Sequence, residues 1–145
     1  MKTITAANAA FALAVTNLYP VAQSIQGYAA DAMFAVDEAD IAETVMGVDG
    51  KMSAGFVFSV TPMSISIMPD SPSSSVFETW YLTCKAARDV YYANATIIIP
   101  AIGRKYTLTK GVLTKGKALP DAKKVLQARE WKITWESITG EDYNG

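Results

Sequence analysis

The stretch MSISIMPDSPSSSVFETWYLTCKAAR, Met63 to Arg88, changes its hydrophobic period partway along. Ile65 and Ile67 alternate with Ser64 and Ser66, the period of two that marks a half-buried strand. Pro69-Asp70-Ser71-Pro72 stops that strand. From Val76 the apolar residues recur at Phe77, Trp80, Tyr81, Cys84 and Ala87, close to the helical period. Asp70 or Ser71 can accept from the free N–H groups of a new helix, and Pro72 fits its first turn, where the missing donor is not needed. Ser75 and Glu78 also have capping-box spacing, which would start the helix later. Val90, Tyr91 and Tyr92 raise the β preference and end it. The reading predicts one helix over about residues 72–89.

Outward from this block the chain reads as strands. Phe11, Leu13 and Val15 alternate with small residues, and Asn17 to Pro20 is a break. Val21 to Tyr28 alternates less cleanly, and Ala29 to Val36 fits a strand or a short helix, with strand favoured. Asp49-Gly50 signals a hairpin turn, because glycine tolerates the positive φ of tight primed turns. Phe56, Phe58 and Val60 continue as a strand, with Thr61-Pro62 as a bulge or edge site. Thr96 to Ile99 has the composition of a buried strand. Lys105 to Thr109 alternates, and Gly111 to Leu113 extends it past a kink. Thr114 to Asp121 reads as a loop. In Glu130 to Ile138, Trp131, Ile133 and Trp135 share one face, with Lys132, Thr134 and Glu136 on the other. Gly140 to Gly145 reads as a tail. The expected class is α+β, mainly β. It is one domain over residues 1–145, an antiparallel β-sandwich or barrel-like subunit with one flanking helix.

Half of the 145 residues are hydrophobic, which suits a folded domain with a real core. Charged residues are 19 %, below the usual level of about 25 %, and this hints at surface buried against other copies. Histidine is absent, so Ser-His-Asp, Cys-His and His-ligated zinc sites are excluded. No phosphate-binding glycine loop is present. The acidic run from Asp37 lacks the calcium-loop order, and a solvated turn is the plainer reading of Asp37 with Asp40. Cys84, the single cysteine, falls on the apolar side of the helix as a buried structural thiol in a reducing compartment. The reading is not an enzyme and no cofactor is expected. Met1 to Val15 faintly resembles a signal peptide, but Lys2 is its one charge and Thr5 and Asn8 dilute the apolar run. No run reaches the roughly 18 apolar residues of a membrane-spanning helix, so a soluble chain without membrane insertion is expected.

Charge is unevenly spread. Residues 1–70 hold Asp31, Asp37, Glu38, Asp40, Glu43, Asp49 and Asp70 against two lysines, whereas residues 71–120 hold seven bases against Glu78 and Asp89. Such polarity can draw copies together head to tail. The basic, aromatic strand from Arg104 to Lys117 could also hold a phosphate backbone, but its aromatic side is needed for the core.

With these features in order, the chain resembles the tail tube proteins of contractile-tailed bacteriophages, a superfamily that includes type VI secretion tubes. The residues that carry the likeness are Val48-Asp49-Gly50-Lys51, Ser64 to Met68, Ser71-Pro72-Ser73 and the closing strand with Glu130-Trp131, over roughly residues 10 to 138. The resemblance implies hexameric rings stacked into a hollow tail tube through which phage DNA passes without specific binding. It implies the tail sheath, baseplate and tail terminator proteins as partners. The implied location is the virion tail, made and assembled in the bacterial cytoplasm. It makes the hairpin around Asp37, Glu38, Asp40, Glu43, Asp49 and Gly50 a candidate contact between rings, with Arg104, Lys105, Lys115 and Lys117 as its partner, and Ser64, Ile65, Ser66 and Ile67 a candidate strand of the shared barrel. The alternative is a monomeric β-barrel binding a small apolar ligand or nucleic acid. A DNA conduit should avoid a strongly basic lining, so acidic or Ser/Thr-rich faces suit the lumen better.

Overall fold

The computed structural model describes residues 9–25, 34–119 and 121–143. In chain order the strands are β1 (Ala10–Val15), β2 (Tyr19–Ser24), β3 (Phe34–Val36), β4 (Ala42–Met46), β5 (Met52–Phe56) and β6 (Thr61–Ile67). The helix α1 (Pro72–Ala87) follows, then β7 (Ala93–Ile99), β8 (Arg104–Lys115) and β9 (Arg129–Asp142). Seven strands form one sheet in the order β2-β1-β7-β8-β9-β6-β3, and β4 pairs with β5 in a separate hairpin. Among the described residues every pairing of these strands is antiparallel.

The alternating residues form the inner face. Phe11, Leu13 and Val15 of β1, Met63, Ile65 and Ile67 of β6, and Trp131, Ile133 and Trp135 of β9 are all buried. Four strands separate β1 from β3, yet the rings of Phe11 and Phe34 lie 6.1 Å apart. The sheet therefore rolls until its flanks face one another. This is the sandwich-like arrangement expected, built from one continuous sheet instead of two. Among the described residues the barrel stays open, because β2 and β3 are at opposite ends of the order.

Ser71 caps the helix: its Oγ accepts from the N–H of Ser73 at 3.1 Å, so the start is not delayed to Ser75. The helix ends two residues before the expected Asp89. Arg88 turns left-handed at φ 54° and donates its N–H to the Cys84 carbonyl. Val76, Phe77 and Trp80 face the core. Phe77 stacks on Trp131 at 5.8 Å, and Tyr81 meets the same indole edge-on at 5.9 Å. The Trp80 indole N–H donates to the Tyr91 carbonyl at 3.1 Å and ties the chain beyond the helix to its inner face. Cys84, expected to be buried, is only half-buried.

The predicted kink in the basic strand falls at Lys110, which has φ 52°. There the pairing with β7 slips: Leu108 faces Ala95, but Gly111 faces Ala93. The inward phase passes from even to odd numbers, and Leu108 and Gly111 are both buried. Gly111 and Gly116 are needed for another reason. A Cβ on Gly111 would sit 2.4 Å from Cε3 of Trp135, and one on Gly116 2.4 Å from Cε3 of Trp131. Each indole lies over a glycine backbone. Gly111→Val and Gly116→Val are expected to lower stability by about 1–3 kcal/mol each through overpacking; equal thermal midpoints for mutant and native chains would refute this packing.

Several boundaries differ from expectation. Tyr19 and Pro20 belong to β2, where an edge strand tolerates proline. Of the two readings for Thr61-Pro62, the bulge is absent and the edge site holds, since both lie inside β6 where β3 does not pair with it; Phe58 and Val60 lie outside any strand. Thr114 and Lys115 belong to β8 instead of a loop. The supposed tail is strand: Gly140, Glu141 and Asp142 pair with Tyr106, Lys105 and Arg104. The strand expected over Val21 to Tyr28 is described as far as Ser24, and that over Ala29 to Val36 from Phe34; residues 26–33 lie outside the described ones.

The opposite face of the sheet is rich in hydroxyls. Thr107 faces Thr96 on one side and Thr139 on the other, and Thr109 faces Ser137. Ser64 and Ser66 alternate with the buried isoleucines of β6. Thr114 Oγ1 donates to the Lys132 carbonyl at 3.2 Å and lies 3.4 Å from Thr134 Oγ1.

Candidate assembly surfaces

The hairpin β4–β5 is exposed along its whole length. No half-buried face is imposed on it, so its register comes from its own ladder, from Ala42 opposite Phe56 to Met46 opposite Met52. The turn is a five-residue loop, Gly47 to Lys51, wider than the tight primed turn expected. Gly47 donates to the Lys51 carbonyl at 2.8 Å, Gly50 takes φ 81°, and Asp49 Oδ1 accepts from the Lys51 N–H at 3.1 Å. Directly opposed residues share a face. One face thus carries Ala42, Thr44, Met46, Met52, Ala54 and Phe56. Beyond it, Phe58 is 94 % exposed and meets Phe56, itself 70 % exposed, edge-on at 5.0 Å. This apolar strip on a projecting arm was not read from the sequence. Its signal was present in Met46, Met52, Phe56 and Phe58, a set of large apolar residues with no second apolar stripe to cover them.

The acidic candidates do not form one group. Asp49 and Gly50 shape the hairpin tip. Glu43 is on β4, on the face opposite the apolar strip. Asp37 starts the root, where its N–H donates to the Pro62 carbonyl at 2.9 Å. Glu38 and Asp40 line a depression at that root with Phe58, Val60, Pro62 and Glu136. The Asp40 carbonyl accepts from Ser59 Oγ at 2.6 Å, which closes the neck of the arm.

The basic candidates divide along β8. Arg104 bonds Asp142 at 2.9 Å, and Lys105 lies 3.8 Å from Glu141, so the strand start is neutralised by the C-terminal part of β9. Lys115 and Lys117 lie at the other end, about 36 Å of strand away at ~3.3 Å per residue. There they join Lys132, Ser66 and Glu130 around a cavity of about 430 Å³. Lys117 also bonds Asp121 at 2.7 Å, and this hydrogen bond, then the ammonium charge, holds the Asp121 carboxyl below its ordinary range. Lys132 and Glu136 were missed as site residues, because their place depends on the β8–β9 register.

Of the barrel candidates, Ile65 and Ile67 are fully buried in the subunit's own core, whereas Ser64 and Ser66 are half-exposed on the outer face. β6 pairs with β9 along its length and with β3 only from Met63 to Ile65. On the inner side, Phe34, Val36, Ile97, Ile99, Leu108 and Ile138 line an apolar groove of about 460 Å³ between the sheet's flanks.

Residues 2–139 match the model of the family described as tail fiber protein gp32. The chain belongs to this family. Among curated proteins no match was found. Among solved structures, the chain is similar to one in the six-fold symmetrised baseplate of the anti-feeding prophage, with TM-score 0.60 and 12 % identity over the whole of both chains. It is also similar to one in the extended sheath–tube complex of the extracellular contractile injection system PVC, with TM-score 0.63 and 10 % identity over 91 % of this chain and 88 % of that one. A chain of the PVC sheath/tube terminator gives TM-score 0.58 and 10 % identity over 90 % and 92 %. At such identities the likeness is one of fold. The tail-tube type of fold anticipated from the sequence is the fold this family member has.

Proposed function

We propose that this chain is a structural subunit of a phage tail or a related contractile particle, assembling as hexameric rings stacked into a hollow tube that DNA passes through. The observation that carries this is the projecting hairpin, whose Met46, Met52, Phe56 and Phe58 stand in solvent in the lone subunit. Exposed apolar surface of this kind marks a protein–protein contact. The family match and the shared fold support a tail component. The role is one of assembly, not catalysis, with sheath, baseplate and terminator proteins as partners, in the virion tail after assembly in the host cytoplasm. Within the outer face, the patch of Thr96, Thr107, Thr109, Ser137 and Thr139 is the suitable lumen lining, because it carries no cation of its own, unlike the Lys115–Lys132 end of the same face.

Negative-stain electron microscopy of the purified chain tests this: rings or long hollow tubes are expected. Phe56→Ser/Phe58→Ser is expected to abolish them while leaving the melting temperature of the subunit nearly unchanged, since both rings are exposed. A clean monomer at high concentration with tail initiator proteins present would sink the proposal. Thin solid filaments would favour the fiber that the family's description names. A second reading rests on the apolar groove, whose volume lies in the range of small-ligand sites, roughly 300–1,000 Å³. A saturable rise in fluorescence of an apolar dye, lost in Leu108→Lys, would support it.

A further inference from the structure

The outer face shared by β6 and β9 carries two depressions of opposite charge, one at each end of β6. At the strand's start, Pro62 lies beside Glu38, Asp40 and Glu136, with Phe58 and Val60 as an apolar wall. At its end, Ser66 lies beside Lys115, Lys117 and Lys132. The register puts Pro62 opposite Thr134 and Ser66 opposite Glu130. Four residues, roughly 13 Å of strand at about 3.3 Å each, separate the two sites.

The lysine end is poorly balanced from within. Lys115 stands directly across the ladder from Lys132. Like charges in that position destabilise a sheet. Among the described residues neither pairs with a carboxylate; Lys117 is engaged by Asp121, and Glu130 alone faces the group from β9. Lys85 of the helix adds a further cation in the adjoining groove, which shares Lys115 and Gly116. The acidic end is unbalanced in the opposite sense. Glu136 has Lys110 at 4.0 Å, while among the described residues Glu38 and Asp40 have no cation.

We propose that the Lys115–Lys132 depression receives the acidic hairpin root, Glu38 and Asp40, of a second copy of this chain. The proposal rests on the assembly reading and names its contact. Within one molecule the two sites point from opposite ends of one strand and do not meet. Between molecules they are complementary in charge. Such a contact is heterologous, so it repeats from copy to copy. Entering carboxylates relieve the lysine–lysine repulsion. Phe58 and Val60 at the root shield the new ion pairs from water and weaken their screening by salt.

The test uses the full chain in four forms: native, Lys115→Glu/Lys132→Glu, Glu38→Lys/Asp40→Lys, and all four changes together. Sedimentation and electron microscopy follow assembly from about 50 mM to about 500 mM salt, where screening lengths become short. Each double reversal is expected to raise the concentration needed for assembly by about tenfold or more at low salt, the size of one strong charge contact. The quadruple variant is expected to recover most of the loss. Circular dichroism melts verify that each form is folded. A native chain that assembles, with reversals that assemble equally well and keep the same salt dependence, overturns this contact and leaves the assembly reading intact. A native chain that never assembles overturns both. Salt-dependent binding of a 20-base-pair DNA duplex, lost in Lys115→Glu/Lys132→Glu without effect on assembly, overturns it in favour of a nucleic-acid site.

Discussion

Trp131→Ala is expected to cost about 4 kcal/mol of folding free energy, within the range for buried aromatics cut to alanine. Three contacts converge on this indole. Phe77 stacks on it at 5.8 Å, Tyr81 meets it edge-on at 5.9 Å, and the Arg129 guanidinium lies 5.2 Å from its centroid. Two of them come from α1, so the substitution removes much of what holds the helix to the sheet. The cavity cannot collapse easily, because Ile65 stands opposite on β6 and the Gly116 backbone supports the ring from below. A domain of this size has about 5–15 kcal/mol in all. Urea unfolding followed by circular dichroism should show a midpoint lower by about 2 M at a typical slope. A loss below about 1 kcal/mol would mean that the helix is not anchored through β9.

The second large effect concerns a polar bridge between the same elements. The Arg129 side chain is nearly fully buried and bonds Glu78 Oε1 at 3.2 Å and Ser74 Oγ at 3.2 Å. The same Nη1 that bonds Glu78 also lies 3.4 Å from the carbonyls of Lys117 and Ala118, while the buried Nε has no hydrogen-bond partner among the described residues. Glu78→Leu leaves that cation buried with neutral partners only. The expected cost is about 3 kcal/mol, the low end for breaking a buried pair, because Glu78 is 42 % exposed and partly screened. Glu78→Leu/Arg129→Met should be clearly more stable than Glu78→Leu alone, since an apolar pair of similar volume needs no desolvated charge. A double-mutant cycle measures the coupling. If both single changes were additive, the bridge would carry no specific energy.

The legible parts of the fold are those where burial imposes a period. Met63 to Ile67 and Trp131 to Trp135 show their alternation because one face of each is inside. The helix start was readable because Ser71 and Pro72 act locally, through a cap and a preset φ. The hairpin β4–β5 imposed no period, since neither of its faces is buried. Gly140 to Asp142 looked like a tail because glycine and acidic residues disfavour strands. They pair nonetheless, where Arg104 and Lys105 meet Asp142 and Glu141 across the ladder. The charged candidates were harder still. Arg104 and Lys117 are close in sequence, but the long strand β8, even with its kink at Lys110, carries Arg104 to one end and Lys115 with the following Lys117 to the other. Lys115 and Lys132 are remote in sequence and become neighbours only through the β8–β9 register. Local pattern can reveal a face; which faces meet depends on the pairing.

The row of Thr96, Thr107 and Thr139, with Thr109 and Ser137 beside it, has a consequence for a particle that must work in media it does not control. A hydroxyl neither gains nor loses a proton in ordinary water and collects no counterion atmosphere. The wetting of this patch is therefore the same in dilute and in briny surroundings, in mild acid and in mild alkali.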